Sequence, residues 1–197
     1  MGTNQKDLEK IMTPEERELY EKWKSKIGQV YVPRSEQETM ADDLVIYFWR
    51  LGREASGTWI KRWAAINEDF NPLWFDEEYA KKSRWKGIIA PPLYLISVHD
   101  GLEWNHEFAH ELYKPGMIPD NDKYPNYSHT FQTETEWEFF EPVRPGDTID
   151  PETRISDLYW KQGSEHRMLF VVCETEFTNQ KGQSVGRSRV SAAYLFN

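Results

Sequence analysis

Gly87-Ile-Ile-Ala-Pro-Pro-Leu-Tyr-Leu-Ile-Ser-Val-His99 is the stretch that decides the fold. Prolines stand near its head and apolar residues fall on every side, so it reads as a helix buried all round. After a Pro, Asn and Asp-rich stretch over 114–128, hydrophobicity alternates with period two through 130–139, 148–159, 167–178 and 184–196. Pro145-Gly146-Asp147, Gln162-Gly163-Ser164 and Asn179-Gln180-Lys181-Gly182 punctuate these strands as turns. An apolar helix followed by a long antiparallel run is an α+β pattern in which the sheet wraps the helix.

Working outward, Thr13-Pro14-Glu15-Glu16 is a helix start, with Thr13 as N-cap, Pro14 at the first helical position and Glu16 closing a capping box. This helix is expected to run to about Ile27, to stop at Gly28 and, being highly charged, to pack on the outside of the domain. Trp59 to Asn67 keeps a helical pattern, Asn71-Pro72 breaks it, and Asp76 to Lys82 reads as another short helix. The expected organisation is an N-terminal extension with an amphipathic helix over 1–50 and one domain over 51–197, carrying an insert at about 100–128.

Composition narrows the function classes. A net charge of −9 argues against nucleic acid as the main partner, because phosphate binding needs a basic face. No run approaches 18 apolar residues, so no membrane span is indicated. Met1 to Lys10 is polar and lacks the apolar stretch of a signal peptide, and the single Cys173 suits a reducing compartment; the expected location is the cytoplasm. Cys173, inside Leu169-Phe-Val-Val-Cys, reads as a buried small hydrophobe.

The motif that bears on chemistry is Asp69-Phe-Asn-Pro-Leu-Trp74. With Gly87-Ile-Ile-Ala-Pro-Pro92, Glu141-Pro-Val-Arg-Pro-Gly-Asp147 and Phe177-Thr-Asn-Gln-Lys-Gly-Gln-Ser-Val185 at matching intervals, it resembles the MaoC-like (R)-specific enoyl-CoA hydratases and dehydratases. The likeness is in particular to the FAS1-like dehydratase N-terminal domains. These include partner subunits of mycobacterial (3R)-hydroxyacyl-ACP dehydratases and of steroid side-chain enoyl-CoA hydratases. It spans roughly 55–197, leaving out the first 50 residues and 100–128. The resemblance implies a single hot-dog fold, an acyl-CoA or acyl-ACP thioester as substrate and no further cofactor.

It also implies a site. In active members an Asp and a His flank one water, and a backbone N–H at the head of the central helix serves the thioester carbonyl. Asp69 matches that aspartate, but Trp74 stands where the histidine belongs, and indole has no titratable nitrogen near neutral pH. The family's His-Gly pair falls on Pro91-Pro92, and proline has no N–H to give. No catalytic residue is therefore expected. Asp69 and Asn71 read either as remnants of the site or as a structural Asx turn. Trp74, Phe75, Ala90, Pro91, Pro92 and Tyr94 are the expected substrate lining, with plain core as the alternative for Trp74 and Phe75. Lys81, Lys82, Arg84 and Lys86 form the densest basic cluster, read either as a CoA contact or as a solvated surface.

The expected role is a non-catalytic acyl-binding subunit whose partner, a second hot-dog chain carrying Asp-x4-His, performs the chemistry. A homodimeric hydratase using a displaced residue such as His99 or Asp100 is one alternative, and a non-enzymatic acyl-CoA binder another. His106-Glu107-Phe-Ala-His110 also matches H-E-x-x-H, with Glu111 or His129 as conceivable third ligands. Peptidases place that motif on a long central helix beside a substrate-binding strand, and no such frame surrounds it here, so zinc is the remote reading and a charged surface helix the plain one. Nine tryptophans and ten phenylalanines point weakly to a bulky or aromatic acyl group.

Overall fold

The computed structural model describes residues 10–30, 54–98, 111–114 and 118–197. His99, Asp100, His106, Glu107 and His110, and with them most of the expected insert, lie outside the described residues. Strands β1 (Glu54–Ala55), β2 (Tyr113–Lys114), β3 (Ile118–Pro119), β4 (Tyr127–Phe139), β5 (Asp147–Gln162), β6 (Arg167–Asn179) and β7 (Ser184–Phe196) follow in chain order. β2 and β3 pair with each other, and the others form one antiparallel sheet in the order β1-β5-β6-β7-β4. The four long strands fall where alternation places them, because a period of two puts Leu169, Val171, Cys173 and Phe177 on one buried face. Gly146 and Gly182 turn the chain with φ of 91° and 72°, values an L side chain rarely takes.

The described helices that pack on the sheet do so on one face, the arrangement expected of a hot-dog domain. Half of that face lies under α1 (Pro14–Lys24). Leu19, Tyr20 and Trp23 pack there on Ile155, Leu158, Trp160, Tyr194 and Phe196, and the Trp23 ring meets Tyr194 edge-on at 5.0 Å. The helix expected on the outside of the domain is thus part of the core. Its charges other than Glu16 point outward, while Leu19, Tyr20 and Trp23 recur at helical spacing and supply an apolar stripe. It also ends earlier than expected, at Lys24. The Ser25 hydroxyl donates to the Lys22 carbonyl at 2.7 Å, and Gly28, with φ 79°, sends the chain along the edge of β5 through an N–H to Ile155 O at 2.9 Å.

The other half lies under α2 (Gly57–Ile66), the 3-10 turn Pro92–Tyr94 and α5 (Leu95–Val98). Between them come α3 (Pro72–Phe75) and α4 (Glu77–Lys82). Ile60, Ala90, Tyr94, Leu95 and Val98 pack on Ile149, Phe177 and Val185. The segment expected to be a helix buried all round is buried on one side only. Tyr94, Leu95 and Val98 face the sheet, while Leu93 and Ile96 stay 44% and 43% exposed. A single sheet offers a helix one apolar surface, and Tyr94, Leu95 and Val98 take it up.

The two sheet edges differ. β1 covers the start of β5, and residues 27–30 bridge to Ile155 and Arg154 further along. Among the described residues β4 pairs only with β7. No described helix is long and apolar enough to cross a membrane.

Candidate active site

The segment joining α2 to α4 builds the first wall of the site. Glu68, at φ 55°, reverses the chain after α2, and the Asp69 N–H returns to Ala64 O at 2.9 Å. Asp69 Oδ1 accepts the Asn71 N–H at 3.2 Å, and Asn71 Oδ1 accepts the Leu73 N–H at 3.0 Å as the N-cap of α3. Both side chains are therefore engaged in turning the backbone, as an Asx turn does.

Trp74 is buried against Ala64 and Ile89, with Leu73, Phe75 and Trp85 around it. Among the described residues its Nε1 has no hydrogen-bond acceptor. A buried, unpaired donor costs about 1–3 kcal/mol. This ring can give one hydrogen bond; it cannot shuttle a proton to or from water.

The helix head forms the second wall. The Ala90 N–H, the last before the two prolines, is spent on Val143 O at 2.8 Å. Pro91 and Pro92 have none, so three successive positions leave no N–H for a carbonyl oxygen. Pro91 is buried and Pro92 exposed, while Ala90 and Tyr94 are both buried. Tyr94 meets Trp63 edge-on at 6.3 Å. Burial pushes its phenol above the ordinary value, partly offset by a hydrogen bond with Ser97, so it stays protonated at neutral pH. The structure places Trp74 and Phe75 in one apolar cluster and Ala90 and Tyr94 in another, joined where Ile89 precedes Ala90.

Arg144, passed over in the sequence reading, locks the two walls together. Its guanidinium donates to Trp85 O at 2.9 Å and its own N–H to Asp147 Oδ2 at 2.8 Å. Its place inside Pro-Val-Arg-Pro-Gly-Asp was the available signal.

Of the basic cluster, Lys81, Lys82, Arg84 and Lys86 are all exposed. Lys81 is already answered by Glu78 at 3.0 Å and Glu77 at 4.0 Å, a bond to Glu78 that raises its ammonium above the ordinary value. Arg84 lies over the Trp85 ring at 4.3 Å. Among the described residues no three His, Cys, Asp or Glu gather as metal ligands, and Glu111 pairs with Lys22 at 2.9 Å. A hollow of about 350 Å³ lies elsewhere, over the outward face of the sheet between Glu136, Glu138, Glu174, Arg187 and Arg189.

A family model described as the FAS1-like dehydratase domain region matches residues 53–187. No curated protein matches the chain. Among solved structures, a monoamine oxidase regulatory protein from Archaeoglobus fulgidus is 24% identical with a TM-score of 0.54, over 74% of this chain and 85% of that one. The ChsH1–ChsH2 complex from Mycobacterium tuberculosis is 16% identical with a TM-score of 0.54, over 77% and 94%. C-terminally truncated HadBC, a (3R)-hydroxyacyl-ACP dehydratase complex of the same bacterium, is 18% identical with a TM-score of 0.51, over 71% and 88%. These likenesses carry the fold.

Proposed function

From the premise that the chain belongs to the FAS1-like dehydratase family, we propose that it is a non-catalytic, acyl-binding subunit of a heteromeric MaoC-like enoyl-CoA hydratase or 3-hydroxyacyl thioester dehydratase. Hydration of an enoyl thioester needs a base for the water, an acid for the α-carbon and donors for the thioester oxygen. The observation that carries the reading is the helix head, where Ala90 gives its N–H to Val143 and two prolines follow. Losing an oxyanion donor costs roughly 10²–10³ in rate, and losing a positioned acid/base group about 10²–10⁴. With Trp74 in the histidine's place, both losses fall on one site.

What remains is suited to holding an acyl group. Trp74, Ala90, Pro91 and Tyr94 are buried, Phe75 is half-buried and Pro92 exposed, so an acyl group would have to enter by parting this apolar packing, while the exposed Lys82, Arg84 and Lys86 offer cations to a CoA or carrier-protein phosphate. HadBC and ChsH1–ChsH2 are complexes of two different chains by name, which supports a partnered role for a chain of this fold. The partner supplies the Asp and His. One buried cysteine, Cys173, suits a cytoplasmic setting.

The test is loss of enoyl-thioester absorbance with short and medium trans-2-enoyl-CoA. The purified chain alone gives no turnover, and a catalytic hot-dog partner restores it. Asp69→Ala leaves the turnover of that complex unchanged within about twofold, because the carboxylate serves the turn. A fall of two orders of magnitude would return Asp69 to the catalytic machinery.

A further inference from the structure

The arginines of the long strands are each answered by a carboxylate. Arg154 meets Glu152, Arg167 meets Glu16, Arg187 meets Glu138, and Arg189 lies 3.9 Å from Glu174. Arg144, half-buried in the turn before β5, has no carboxylate on its guanidinium among the described residues. The acid of the same turn is spent on amides. Asp147 Oδ2 accepts the Arg144 backbone N–H at 2.8 Å, and Oδ1 accepts Gln180 Nε2 at 3.1 Å.

This guanidinium is also held still. Its Nη2 donates to Trp85 O at 2.9 Å, and Pro145 restricts the backbone that carries it. Nη1 lies 3.9 Å from where a Cβ on Gly87 would stand, so the glycine leaves that arm of the fork clear. Apart from the bond to Trp85, its N–H donors have no partner among the described residues. The two contacts flank Lys86, an exposed cation at φ 59°, which an L side chain rarely takes. Arg84, also exposed, lies over the Trp85 ring. The residue before Arg144, Val143, receives the Ala90 N–H, so these cations stand at the rim of the candidate site.

We infer that Arg144, helped by Arg84 and Lys86, binds a phosphate at this rim, the phosphate of a pantetheine thioester carrier. The inference rests on the reading of this protein as an acyl-thioester binder. An arginine fork fixed by one N–H and free at the others suits an oxyanion, and burial strengthens the bond. The number of cations selects among oxyanions. A carboxylate would answer one of the three, whereas a phosphate monoester carries a charge of about −1.5 to −2 at neutral pH. Lys81, in the same basic run, takes no part, because Glu78 and Glu77 already hold it. The 4′-phosphate is common to CoA and to the prosthetic group of an acyl carrier protein, so either carrier presents it.

Calorimetric titration of the full chain with CoA, 4′-phosphopantetheine and pantetheine tests this. Wild type should bind 4′-phosphopantetheine at least about tenfold more tightly than pantetheine, and the preference should shrink at high salt. Arg144→Gln removes the charge and keeps a donor for Trp85 O; its preference should fall to within about twofold of none. Arg84→Gln with Lys86→Gln alters only exposed side chains and should lower the preference by at least about threefold, which keeps the test alive if Arg144→Gln fails to fold. Lys81→Gln should leave it unchanged within about twofold. CoA binding more tightly than 4′-phosphopantetheine would assign the site to free CoA, and parity would assign it to the phosphate both carriers share; each bears the inference out. Equal binding of 4′-phosphopantetheine and pantetheine by wild type, no binding of any of the three, or a preference that survives Arg144→Gln overturns it. Enoyl-CoA turnover by the chain alone would sink the non-catalytic reading and leave the phosphate site standing.

Discussion

Under α1 the inner face of the sheet is sealed; under residues 92–98 it is half open. The strands are alike in the two regions, since β5, β6 and β7 run through both. What differs is the cover. α1 lays Trp23 on Tyr194 and ties its first turn to β6, where both oxygens of Glu16 receive Arg167, each at 2.9 Å. The same carboxylate closes the capping box on the Thr13 N–H at 3.1 Å. The central helix has no ion pair to the sheet among the described residues, and it leaves Leu93 and Ile96 uncovered. One half is covered by a helix of the chain, and the other keeps exposed apolar side chains at Leu93 and Ile96.

Breaking the sealed half should have the largest effect. Arg167→Met leaves a buried Glu16 without its cation and should cost about 3–5 kcal/mol, read as a fall in denaturant midpoint. Replacing both together, Glu16→Leu with Arg167→Met, should cost clearly less, because no charge is left stranded. Equal costs would mean the pair contributes through packing alone. Trp23→Ala should lose a comparable ~3–5 kcal/mol through the cavity it opens.

Gly186→Ala probes the contact between helix and sheet in the open half. Its Cβ would stand 2.6 Å from Leu95 Cδ1 and 3.1 Å from Glu138 O, so the helix must lift, at about 1–3 kcal/mol. Leu93→Ser with Ile96→Ser should change the stability of the isolated chain by no more than about 0.5 kcal/mol, since both are already exposed. The same pair should weaken binding of a partner. A large loss of stability in the isolated chain would show that the far side of the helix is covered within it.

A smaller effect follows from Tyr94. Its pKa is raised on folding, so the neutral form is favoured in the native state. That contribution is complete below the ordinary value of 10.0 and is lost as pH climbs through the higher native value. Tyr94→Phe should flatten the alkaline limb of stability against pH. Least of all, Glu68→Gly relieves a left-handed residue and should be neutral to about 1 kcal/mol stabilising in thermal melts.

Much of the local structure was legible because its causes are local. The Thr13–Glu16 box, the glycine turns and the alternation in β4 to β7 each depend on residues a few positions apart. The one-sided burial of residues 92–98 was not, because apolar residues all round fit equally a helix covered by its own chain and one awaiting another. The packing of α1 was misread for a related reason: its charges dominate its composition, while three residues on one stripe decide where it sits.

The sequence by itself determined the order of helix and strands, the turn made by Asp69 and Asn71, and the presence of Trp74 and of the Pro91-Pro92 pair on which the proposed loss of catalysis rests. These follow from side-chain chemistry and from periods of two and 3.6, which need no knowledge of the distant chain. Only the tertiary structure decided that Arg167 meets Glu16, that Val143 takes the Ala90 N–H, and that β4 is the last strand of the sheet among the described residues. Such pairings join segments far apart in the chain, and the packing of the whole sheet selects among the many partners that local pattern leaves equivalent.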